Sequence, residues 1–228
     1  MTSRNWVRLF MTTLLVGGVT TAIVGFIIRW NEFQPYFTEF QIIDILSTLI
    51  WLIVMGFLFS VISQMGFFSY LTIHRFGLGI FKSASLWNAV QVVLILFGLF
   101  DLIYLRYEKF AKPGDSLLPY FGLAILLLGV ALIVAWYKVK QTNRGAFIPA
   151  LFFMIVVTLV EWVPVLRENE KSWLYLMMVA LMACNAYQLL ILHRLNTQSE
   201  QERQKRAAQP KSTTNNSKKK KMSKKPSM

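Results

Sequence analysis

The chain has 228 residues, of which 55% are hydrophobic, 14% aromatic and only 15% charged, with a mean hydropathy of +0.49. An average soluble domain carries about 25% charged residues. This chain therefore lacks the polar surface to cover itself in water, and its apolar residues fall in blocks of about 20, the length that crosses a bilayer core. The formal charge of +13 would suit a nucleic-acid binder, yet 11 of the 24 Lys and Arg and only two of the 11 acidic residues follow His193, so most of the excess belongs to a short tail. Lysine runs without interleaved aromatics carry no base readout, and no nucleic-acid partner is expected.

In chain order, the first apolar block is Leu9 to Ile28, preceded by Arg4 and Arg8 in the manner of a secretory signal. It reads as a retained span, because it is about twice the length of a signal core and the following GFIIRWNE offers no small-x-small cleavage site. Gly17, Thr21 and Gly25 recur every fourth residue along it, a small-residue stripe suited to close helix packing. The second block, Ile43 to about Tyr70, continues as apolar sequence to Ile73, longer than a minimal crossing, so it must tilt, protrude or bend, with Gly66 the expected bend. The remaining blocks are Leu86 to Leu105, Leu117 to Tyr137, Phe147 to Leu166 and Trp173 to Leu192. Pro113 and Pro119 punctuate the loop before the fourth block, Pro149 sits in the first turn of the fifth, and Pro164 should kink or end it. From Thr197 the sequence turns to Gln, Glu, Lys, Ser and Asn, ending in the Lys218 to Lys221 cluster. The expected organisation is a six-span transmembrane domain over residues 1–193 and a disordered basic tail over 194–228 that attaches to anionic lipid.

All six blocks should be helices, because lipid offers the backbone no hydrogen-bond partner and no segment shows the alternating pattern of a barrel strand. The expected class is an all-α polytopic membrane protein. Orientation follows from Lys and Arg near span ends. Arg4 and Arg8, then Arg75 and Lys82, then Lys138, Lys140 and Arg144 stand without acidic neighbours, whereas the alternate loops mix both signs. With the tail included, this puts both termini in the cytoplasm and the protein in the plasma membrane.

No catalytic or metal-binding motif is present, and neither enzyme activity nor a cofactor is expected. Cys184 is the only thiol and reads as a packing residue, while His74 and His193 lie at span ends beside Arg75 and Arg194. Two polar sets remain. Asp44, Asp101 and Glu161 fall near the outer ends of spans, either hydrated beside Arg29, Arg106 or Arg167, or converging on one outward-facing acidic cluster for a cation, a proton or a peptide. Ser60, Ser63, Gln64, Asn88, Gln91, Asn185 and Gln188 lie toward the cytoplasmic side and read as interhelical glue.

QMGFFSYLTIHRFGLGIFK, from Gln64 to Lys82, and SRNWVRLF, from Ser3 to Phe10, resemble the KinB-signalling-pathway activation proteins (KbaA) of endospore-forming bacteria. The resemblance extends from about Met1 to His193 and omits the tail. It implies a non-catalytic plasma-membrane protein that promotes activation of a membrane sensor histidine kinase feeding the sporulation phosphorelay. The second loop, with His74, Arg75, Gly77, Gly79 and Lys82, is the first choice for cytoplasmic contact with that kinase, since it holds the Gly77-Leu78-Gly79 turn. A small cation- or proton-coupled transporter or channel is the competing class, and it lacks internal repeats or paired broken helices.

Overall fold

The computed structural model describes residues 2–112, 114, 116–166 and 170–208. Six of its helical segments are long and apolar enough to cross a membrane, in the order the hydropathy blocks predicted. The described residues form α1 (Ser3–Ile28), α2 (Trp30–Thr38), α3 (Ile42–Phe81), α4 (Ala84–Phe110), α5 (Leu118–Gln141), α6 (Phe147–Phe152), α7 (Thr158–Leu166) and α8 (Lys171–Ala208). α6 and α7 are joined by a π-helical turn, Phe153–Val157, and form the fifth crossing together.

Burial is distributed as in a lipid-solvated bundle. Large apolar side chains such as Ile43, Phe97, Leu118 and Val160 lie exposed on the outside, while Trp162, Phe153, Leu127, Met178 and Leu181 are fully buried. The fifth and sixth crossings are the interior ones, with 56% and 61% of their apolar windows buried against 22% for α3 and for α4. α1 packs along α3 through the small-residue stripe. A Cβ built on Gly17 would come 2.7 Å from Gly56 O, and one on Gly56 would come 2.7 Å from Gly18 Cα, so the two backbones touch and neither glycine has room for a side chain.

Four features depart from the sequence expectation. The segment after α1 is not a plain loop: Trp30–Thr38 is helical, held by a stack of Phe26, Trp30, Phe33 and Phe37 and by Arg29, which pairs with Glu32 at 3.2 Å and Glu170 at 3.4 Å. α3 is one unbroken helix of 40 residues, about 60 Å long, with no interruption at Gly66. The break in helical regularity lies in the fifth crossing instead, at the π turn, while Pro164 stands two residues before the end of α7 at Leu166, near the end of the crossing as expected. Finally, α8 continues to Ala208, so the expected boundary at Arg194 falls in mid-helix. Its Gln, Glu, Arg, Lys and Ala are good helix formers, and the extension has a docking partner. Leu195 and Ser199 are buried against the start of α1, where Asn5 Nδ2 donates to Ser199 Oγ at 2.8 Å and the Thr2 hydroxyl donates to Glu202 at 3.3 Å. Residues 209–228, with the Lys218 to Lys221 cluster, lie outside the described residues, as do Pro113, Asp115, Arg167 and Glu168.

Candidate functional site

The segment chosen from the sequence as a contact loop is the end of α3. His74, Arg75, Gly77 and Gly79 are all helical, and the turn comes later, at Lys82 and Ser83. Lys82 adopts a left-handed conformation (φ 51°) with its N–H bonded to Leu78 O, and the Ser83 hydroxyl caps α4 by accepting from Leu86 N–H at 3.4 Å. The glycine pair does not make the turn because Gly77 has another task. A Cβ there would come 2.5–2.6 Å from the Trp87 indole, so Gly77 lets α4 close against α3.

That closure fastens one face of the corner. Trp87 Nε1 donates to His74 Nδ1 at 3.1 Å, Gln91 Nε2 lies 3.3 Å from the same nitrogen, Phe81 stacks on Trp87, and the Tyr70 hydroxyl donates to Pro149 O at 3.2 Å. The adjoining face is bare. Ile73, Phe76 and Ile80, one stripe at helical spacing, are 48%, 64% and 73% exposed, and Gly79 has no atom within 4 Å of its Cβ position. Arg75 and Lys82 are exposed beside them. Trp6, three residues into α1, packs on Phe68 at 5.0 Å, and α3 runs on for 13 residues past that level, about 20 Å. The corner thus projects beyond the start of α1, at the end of the bundle that carries the beginning of α1 and the end of α8.

A second constellation is buried between α3, α7 and α8. Asn185 is its hub: it accepts from the Ser63 hydroxyl at 2.7 Å and donates through Nδ2 to Glu161 Oε2 at 2.7 Å and to Thr158 Oγ1 at 2.9 Å. Gln188 Nε2 donates to Ser63 Oγ at 2.6 Å, and Gln64 Nε2 donates to Ser60 Oγ at 3.3 Å. Glu161 Oε1 has no hydrogen-bond partner among the described residues and occupies the place where a side chain on Gly66 would begin. Gly66 therefore serves as a recess for a carboxyl group rather than as a bend, with its Cα–H against that oxygen.

Glu161 belongs to this amide layer and not to an outward-facing cluster with the other two acids. It is 7% exposed, whereas Asp44 is exposed on the first turn of α3 and Asp101 lines a separate cleft between α4 and α7. The structure does not bring Asp44, Asp101 and Glu161 together. Distance from a span end does not fix where an acid points: α7 turns Glu161 inward and α8 offers Asn185 on the facing side. No group of three His, Cys, Asp or Glu residues with metal-binding proximity occurs among the described residues.

Residues 17–195 match the family described as KbaA, KinB-signalling pathway activation in sporulation. The chain belongs to the KbaA family. It is 50% identical over 192 residues to the KinB-signaling pathway activation protein of Bacillus subtilis (strain 168), a match covering 84% of this chain and 97% of that protein. No solved structure matches it. The KbaA match includes the whole α3–α4 corner and the buried amide layer, and it stops at Leu195, where α8 begins its extension along α1. As a KbaA protein the chain takes part in activating the KinB sporulation signalling pathway, and its six apolar helices make it a multi-pass membrane protein.

Proposed function

We propose that this KbaA protein promotes activation of a membrane sensor histidine kinase by direct contact through the exposed stripe Ile73, Phe76 and Ile80, flanked by Arg75 and Lys82. The observation that carries this reading is the division of the corner into a fastened face and a bare one. His74, Gly77 and Trp87 hold the end of α3 rigid, and a projecting rigid helix that presents large apolar side chains is suited to receive another helix. The corner lies on the cytoplasmic side by its charge: Arg75, Lys82, Arg4, Arg8, Lys138, Lys140 and Arg144 all cluster at this end, as expected for plasma-membrane proteins with both termini inside. Such a regulator needs no catalytic group or cofactor, only different contact energies with the kinase's inactive and active states.

The test is phosphorelay output in sporulating cells carrying Phe76→Glu, Ile80→Glu or Gly79→Trp at normal membrane levels. Each should reduce kinase-dependent output toward that of a deletion, and a photocrosslinker at position 76 should capture the kinase. Wild-type output from all three variants would overturn the assignment, as would a deletion phenotype that persists without the kinase. Ion flux through reconstituted wild-type protein would support the transporter class instead.

A further inference from the structure

We infer that the cleft between α4 and α7 is a binding site for an aminophospholipid, whose chain lies along the apolar walls and whose phosphate and ammonium are held by Arg106 and Asp101. The cleft has a volume of about 730 Å³, within the range of small-ligand sites. Phe97, Leu102, Leu159 and Val163 form its walls, and Gly98 opens its floor, where a Cβ would come 3.1 Å from Leu159. It faces outward from the bundle among lipid-exposed residues such as Phe97 and Val160, so its occupant enters from the membrane.

The occupant's chemistry follows from the cleft's polar end, the one far from the α3–α4 corner. Arg106 is only 9% exposed there, yet pairs with no carboxylate among the described residues. Its guanidinium makes one long hydrogen bond to Leu166 O, 3.4 Å, and lies 5.0 Å from the Phe110 ring centroid, so most of its five donors have no hydrogen-bond acceptor among the described residues. Asp101 is half-buried in the cleft lining, five residues before Arg106 and about 140° around α4 from it, without a hydrogen bond or ion pair among the described residues, and Glu108 follows one heptad later. An apolar chain alone leaves both charges unanswered in a medium where a charged side chain is costly. The cleft lining carries two cations, Arg106 and Lys109, and two carboxylates, Asp101 and Glu108, and a purely anionic head answers only the cations. A head that joins a phosphate to a primary ammonium answers both, because the guanidinium fork takes phosphate oxygens and the carboxylate accepts ammonium N–H bonds.

The experiment uses the full chain purified in mild detergent, incubated with equal amounts of phosphatidylethanolamine, phosphatidylcholine and phosphatidylglycerol, washed, and analysed for retained lipid by mass spectrometry. The expected result is about one phosphatidylethanolamine per chain, favoured about tenfold over the other two, the effect of one charge-assisted hydrogen bond. Asp101→Asn should abolish the preference over phosphatidylglycerol while some lipid stays bound, and Gly98→Leu should displace all three lipids. Equal retention of the three by the wild-type chain would overturn the proposal without needing a variant, and so would an unchanged preference in folded Asp101→Asn. None of these readouts involves the kinase.

Discussion

Replacing Asn185 with alanine tests whether the buried amide layer holds the crossings together. The substitution removes one bond accepted from Ser63 and two donated to Glu161 and Thr158, all between 2.7 and 2.9 Å and all between different helices. Interhelical hydrogen bonds in membranes average about 0.6 kcal/mol in measured cycles, because the separated helices find other partners, so three come to about 2 kcal/mol. The side chain is also fully buried, and the void it leaves adds to the cost by about 1 kcal/mol. The expected total is about 3 kcal/mol, read as a shift in the unfolding midpoint of the purified protein titrated with a denaturing detergent. A cycle with Glu161→Ala, which removes the acceptor, isolates one bond and should show a coupling of about 0.6 to 1.7 kcal/mol. A loss below about 0.5 kcal/mol for Asn185→Ala, or additivity of the two substitutions, would refute the view that Asn185 is the hub.

Gly77→Ala and Gly79→Ala form a matched pair on one helix. The first drives a methyl group into the Trp87 indole and should cost about 1 to 3 kcal/mol, whereas the second meets open space and should be neutral or slightly stabilising, as the same detergent titration would show. Gly66→Val should be as damaging as Asn185→Ala, since its side chain would occupy the position of the Glu161 carboxyl; pairing it with Glu161→Ala should restore part of the loss. Ser199→Ala removes the acceptor of a 2.8 Å bond from Asn5 and should increase amide hydrogen exchange in residues 195–208 and at the start of α1, leaving the centres of α3 and α7 unchanged.

The six crossings were legible because bilayer thickness and the need to satisfy every backbone group act on composition alone, and a block such as Leu86 to Leu105 has no other stable conformation in lipid. That α1 packs closely on some neighbour was legible for a similar reason, since Gly17, Thr21 and Gly25 repeat at the helical period and only small residues permit backbone contact, but nothing in the stripe named α3 as that neighbour. What sequence spacing could not supply was azimuth between helices. Glu161 and Asn185 are 24 positions apart on different crossings, and their meeting depends on how α7 is rotated after the π turn, which no local pattern announces.

The two meanings of glycine in Gln64 to Lys82 illustrate the same limit. From sequence, Gly66 reads as a bend and Gly77-Leu78-Gly79 as a turn, since glycine permits both. In a membrane helix the backbone hydrogen bonds are too costly to open without compensation, so the helix persists through all three positions and the missing side chains serve neighbours: a carboxyl at Gly66 and an indole at Gly77. Gly79 serves no neighbour and lies on the bare side of the corner. The long α3 thereby links a buried polar layer shared with α7 and α8 to a projecting tip that ends at Phe81, 15 residues beyond Gly66. A rotation of α3 that carried Gly66 away from Glu161 would also turn Phe76 and Ile80, because one unbroken helix carries all three.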